Sequence, residues 1–83
     1  MEFGRAVRVM RAVRGISQKA LAAQIGVNGV VLWQVENGSL PRDYVQQQIR
    51  EALRWTPEMD AALDVLAAAQ AAEGEKVKEE GAA

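Results

Sequence analysis

The sequence predicts an all-α domain of four to five helices followed by a disordered acidic tail. Three observations carry that reading. No segment alternates apolar and polar residues over five or more positions, so strands lack their pattern. Several segments repeat apolar residues at helical spacing. Between them stand Gly, Ser, Asn, Thr and Pro, the residues that cap or stop helices. With 83 residues there is chain for one domain and a modest core.

The first helix is expected from about Phe3 to Arg14. Phe3, Ala6, Val7, Met10 and Val13 share one broad face, and Gly15 suits its stop. Ser17 caps the second helix, which places Leu21, Ala22 and Ile25 on one side until Gly26 ends it. Asn28 starts the third, with Val31, Leu32 and Val35 as its buried face and Asn37 and Gly38 as its end. A fourth is expected over roughly Pro41 to Arg54, burying Val45, Ile49, Ala52 and Leu53, with Pro41 at its first helical position. Thr56 caps a fifth, Pro57 opens it, and Glu58 and Asp60 suit the positive end of its dipole. Met59, Ala62, Leu63, Leu66 and Ala69 form its stripe, to about Ala72. That stripe reads either as a cover for the core or as a dimer seam. From Glu73, "EGEKVKEEGAA" has a single large apolar residue and is expected to be disordered. The divisions are therefore residues 1–54, 55–72 and 73–83.

Composition narrows the chemistry. There is no cysteine and no histidine, so disulfides, thiol catalysis and the usual zinc sites are excluded. A cysteine-free chain fits a reducing compartment, and the expected location is the cytoplasm. The start, "MEFGRAVRVM", lacks the apolar stretch of a signal peptide, and no run approaches a membrane span. No Gly-rich phosphate loop and no inferable pair of pocketed carboxylates is present, so the chain is expected not to be an enzyme and to need no cofactor or metal. The charge is uneven. Residues 1–54 carry eight cations against four acids, a net +4, while residues 55–83 carry two lysines against seven acids, a net −5. A basic body points to an anionic partner.

The second and third helices have the spacing of a helix-turn-helix. Ala22 is small enough for the helices to cross closely, and Gly26, four residues on, suits the turn. Val27, Leu32 and Val35 would seat the second of the pair. The longer stretch "RAVRGISQKALAAQIGVNGVVLWQVENGSLP" resembles the Cro/phage-repressor, or xenobiotic-response-element-like, helix-turn-helix family. The family's landmarks fall on Met10–Arg11, Gly15–Gln18, Leu21–Val27 and Glu36–Gly38, within residues 5–54 or so.

The resemblance implies a lambda-repressor-like fold and a small transcriptional regulator, a repressor type, that binds double-stranded DNA as a homodimer. It implies a structural ion pair between Arg11 and Glu36. It places Asn28, Gly29, Val30, Trp33 and Gln34 on base edges in the major groove. It places Gln18, Lys19, Asn37, Gly38 and Arg42 near phosphates. The chain departs from the family at Gly29, Val30 and Trp33, where relatives carry polar or basic residues. Trp33 therefore has three readings: core packing, an apolar contact to DNA, or an anchor for a protein. The alternative to a DNA reader is a protein-interaction module on the same fold (an adaptor, anti-repressor or antitoxin) that uses Val30 and Trp33 or the C-terminal helix.

Overall fold

The computed structural model describes the backbone of residues 1–82 and the side chains of residues 1–74. It is all-helical over that range, with α1 at Phe3–Arg14, α2 at Gln18–Ile25, α3 at Gly29–Glu36, α4 at Asp43–Ala52 and α5 at Pro57–Ala82. α3 packs on α1 and α2, and α4 packs on α2. The core is Ala6, Val7 and Met10 from α1, Leu21 and Ala22 from α2, Leu32 and Val35 from α3, Val45 and Ile49 from α4, and Leu53 and Leu63. No described helix is long and apolar enough to cross a membrane.

The connections follow from local chemistry. Gly26 takes a left-handed backbone, φ 75°, which costs glycine nothing sterically. That bend lets the Val27 N–H return to the Ala22 carbonyl at 3.0 Å, closing α2 and turning the chain toward α3. Gly15 closes α1 by the same motif. The expected N-caps form: Ser17 Oγ accepts from the Ala20 N–H, Asn28 Oδ1 from the Val30 N–H and Thr56 Oγ1 from the Met59 N–H. Each satisfies a donor that the first turn of a helix leaves free.

Two contacts fix how α1 lies. Gly4 is buried against the last turn of α3, and a Cβ built on it would overlap the Val35 carbonyl oxygen. At the other end, the Arg14 guanidinium donates to the Leu53 carbonyl at 2.9 Å and to the Arg54 carbonyl at 2.8 Å. It thus satisfies carbonyls left open where α4 ends. That end is made by Arg54 at φ 51°, with the Trp55 N–H bonded back to the Arg50 carbonyl. Beyond it, Trp55 stacks on Phe3 at 5.7 Å between centroids, and the Arg50 guanidinium lies 4.5 Å from the Trp55 ring. The Trp55 indole N–H donates to Asp60 of α5. Trp55 thus closes the corner between α4 and α5.

Several boundaries and faces differ from the expectation. Val13 is exposed because it lies at the edge of the α1 stripe, past the last turn that α3 covers. Val31 is exposed as well. At 100° per residue the buried face of α3 is completed by Leu32, Val35 and Glu36, and Val31 falls to one side. Pro41 lies outside α4, which starts at Asp43. Its carbonyl accepts instead from Gln46 Nε2. In α5 only Leu63 of the expected stripe is buried and Met59 half-buried, while Leu66 and Ala69 are exposed. α5 runs to Ala82, past the stop expected near Ala72, and does not show the disorder expected from Glu73. Its Ala, Glu and Lys residues are strong helix formers, and they extend a helix that is already nucleated.

Two substitutions test this packing in opposite directions. Gly4→Ala is expected to destabilise the fold by about 2–3 kcal/mol, because the obstacle is backbone that cannot swing aside. Arg54→Gly is expected to stabilise it by roughly 0.5–1 kcal/mol by relieving the left-handed residue. Urea unfolding followed by circular dichroism reads both.

Candidate nucleic-acid interface

Residues 26–28 join α2 to α3, a link short enough to hold the pair at one angle. What holds α3 against α1 is Glu36. It is 7% exposed, the one buried charged residue among the described positions. A carboxylate in such a place must be paired and hydrogen-bonded. Arg11 meets it with both arms of its guanidinium, Nε to Oε2 at 3.0 Å and Nη2 to Oε1 at 2.8 Å. The fork geometry of Arg suits a carboxylate. Gln18 Nε2 donates to Oε2 at 3.2 Å, and Arg8 Nε stands 3.5 Å from Oε1. Arg11 also donates to the Ile16 carbonyl between α1 and α2. One side chain thus gathers α1, the start of α2 and the end of α3.

Arg11 and Glu36 are therefore brought together, and Gln18 joins them. Gln18 is half-buried with its amide turned inward to Glu36. In the sequence Arg5, Arg8, Arg11 and Arg14 advance by three and, Arg11 aside, read mostly as solvated surface, whereas Arg8 stands beside Glu36. Its spacing of three from Arg11 is the signal that puts the two on neighbouring turns of one helix. Arg14 reads the same way in the sequence, because its partners are backbone carbonyls about forty positions away.

The expected base-facing residues all lie on exposed α3 or at its start. Gly29 is its first residue. Val30 is 60% exposed, Trp33 56% and Val31 38%, so Trp33 is not core. Gln34 is exposed. Asn28 is exposed, but its Oδ1 is engaged by the Val30 N–H at 2.9 Å. At the far end Asn37 Nδ2 donates to the Trp33 carbonyl at 2.8 Å, and Gly38 turns the chain at φ 114°.

Cations stand at both ends of this helix. Near the start, Lys19 lines a recess with Gln18, Ala22, Ala23, Val27 and Gly29. Near the end, Arg5 and Arg8 line another with Glu2, Gly4, Glu36, Asn37 and Gly38. Arg42, just before α4, is exposed and makes no cap with its side chain. No cluster of acidic residues suited to a metal ion is found among the described residues.

The roles of Glu36 and Arg8 are expected to separate cleanly. Glu36→Ala leaves Arg11 without its carboxylate and is expected to cost about 3 kcal/mol or more. Arg8→Ala removes a longer, solvated contact and is expected to cost under about 1 kcal/mol. Thermal melts of the two variants make the comparison.

No protein-family model matches the chain, and neither a curated protein nor a solved structure matches it.

Proposed function

We propose that this chain is a small helix-turn-helix regulator of transcription that binds duplex DNA through α3, as a homodimer and without a cofactor. The observation that supports this best is the pairing of a rigidly seated, outward-facing α3 with cations at each of its ends. A rod of about 12 Å fits the major groove, and cations placed beyond its ends fall where the phosphate strands run. Lys19 and Arg42 would meet phosphates, whereas the Gln18 amide is turned onto Glu36 and the Asn37 and Gly38 N–H groups are bonded to carbonyls of α3. Asn28, Gly29, Val30, Trp33 and Gln34 would face base edges. The exposed Val65 and Leu66 of α5 supply apolar surface for a second copy.

A second reading is favoured by the same exposed Val30 and Trp33. On it the chain is an interaction module whose apolar α3 anchors on another protein, since Trp is enriched at the centres of such contacts. An antitoxin would combine both uses.

Gel shifts of the full chain on random-sequence duplex at two salt concentrations test the proposal. With at least Lys19 and Arg42 of two protomers on phosphates, the logarithm of affinity should fall with the logarithm of salt with a slope of roughly −3.5 or steeper. A flat response, or no binding at low salt, overturns the DNA reading. Should Trp33→Ala keep DNA binding but lose a co-purifying protein, the second reading takes its place.

A further inference from the structure

We infer that the outward face of α3 recognises the C5-methyl groups of pyrimidines in the major groove, thymine or 5-methylcytosine, in preference to polar base edges. The inference rests on the DNA-binding reading above and adds what is read.

At 100° per residue the face opposite Leu32, Val35 and Glu36 consists of Val30, Trp33, Gln34 and Asn37, with Val31 at its margin. Three of those five residues are apolar, and all three are exposed. The amides near them are committed. A bidentate pair with adenine needs an amide oxygen and an amide nitrogen aimed outward together. Asn28 has turned its oxygen onto the Val30 N–H, and Asn37 has turned its nitrogen onto the Trp33 carbonyl. Either would have to give up a backbone bond to reach a base. Gln34 alone on this face has a side-chain amide with no hydrogen bond among the described residues.

An apolar strip of this kind selects by contact. Pressed against any base pair, A·T as well as G·C, it covers three polar groups without replacing their water, so a methyl in the contact is what offsets that cost. Buried polar groups without partners are costly. The apolar feature that the major groove presents is the C5-methyl of thymine. Cytosine presents the same carbon only when methylated. The ends of the strip explain why the partner is a nucleic acid. Lys19 shares a recess with Gly29 at one end, and Arg5 and Arg8 share one with Asn37 and Gly38 at the other. In that second recess Glu36 is already paired to arginine, which leaves Glu2 as the opposing acid. A partner apolar in its middle and anionic at its flanks matches methyl-bearing bases between phosphate strands.

The test uses the full chain and four synthetic duplexes of equal length. Two are alternating dA-dT and its counterpart with every thymine replaced by uracil, which removes the methyl and keeps the pairing. Two are alternating dG-dC and its counterpart with 5-methylcytosine. Each buried methyl should be worth about fourfold in affinity. The uracil duplex should therefore bind at least fourfold more weakly than the thymine duplex, and the methylated duplex should gain by a similar factor over the plain one. Val30→Ala, at an exposed position that leaves the thermal melt in place, should move both ratios toward one without changing the salt slope. Equal binding within either pair, with a steep salt slope, overturns methyl readout and leaves DNA binding standing. Absence of binding to all four duplexes at low salt overturns the reading beneath it and passes the apolar face to a protein partner.

Discussion

Burial of the Glu36 carboxylate is the constraint around which the small core is arranged. Its side chain sits at the last turn of α3, where Gly4 lets α1 approach to backbone contact. A charge there is tolerable only because Arg11, Gln18 and Arg8 converge on it. A hydrophobic side chain in its place would fill space in many relative orientations of the helices. The forked arginine accepts very few. The network therefore constrains geometry, and removing either partner would leave the other charge buried and unpaired. In a domain this small, where apolar burial leaves a slender margin, orientation that does not depend on core volume is valuable.

The same arrangement divides α3 into two faces with separate duties. Leu32, Val35 and Glu36 belong to the scaffold, and Val30, Trp33 and Gln34 are left free of it. The inward face is held at Glu36 and entered through the Asn28 cap, so the outward face is carried by a packed helix rather than by a loop. Substitutions on the outward side can change what is contacted while the seat of the helix stays as it is. The cations that flank it come from different elements, Lys19 from α2 and Arg5 and Arg8 from α1. Their spacing is consequently fixed by how α1, α2 and α3 pack.

Much of this was readable before any coordinates. Ser17, Asn28 and Thr56 act locally, on N–H groups two or three residues away, and Gly15 and Gly26 act through their own backbone. Such features are written where they operate. What escaped notice acts over distance or against type. Glu36 takes a place on the buried face that periodicity awards to the apolar Val31; a pattern of polar and apolar letters cannot see Arg11 arriving from another helix, and the pair is legible only through the resemblance. Arg14 serves backbone carbonyls 39 and 40 positions away. Arg54 adopts a left-handed conformation usually left to glycine or asparagine. α5 was judged by how little it could bury after Ala72, whereas its backbone follows the propensity of its residues. The candidate interface was legible as a set of positions through the resemblance to repressor sequences. The commitment of the Asn28 and Asn37 amides to the backbone was not.

The two tryptophans end up in unlike surroundings. Trp33 stands in solvent on the outward face of α3, while Trp55 is stacked on Phe3 beneath the Arg50 guanidinium. An indole in water emits at longer wavelength than one shielded from it, and a neighbouring cation perturbs its yield. The chain thus carries two indole fluorophores at separate posts, one on the outward face of α3 and one at the joint where α1, α4 and α5 meet. With each in turn replaced by phenylalanine, light from the remaining one distinguishes an encounter at α3 from a loosening of the body.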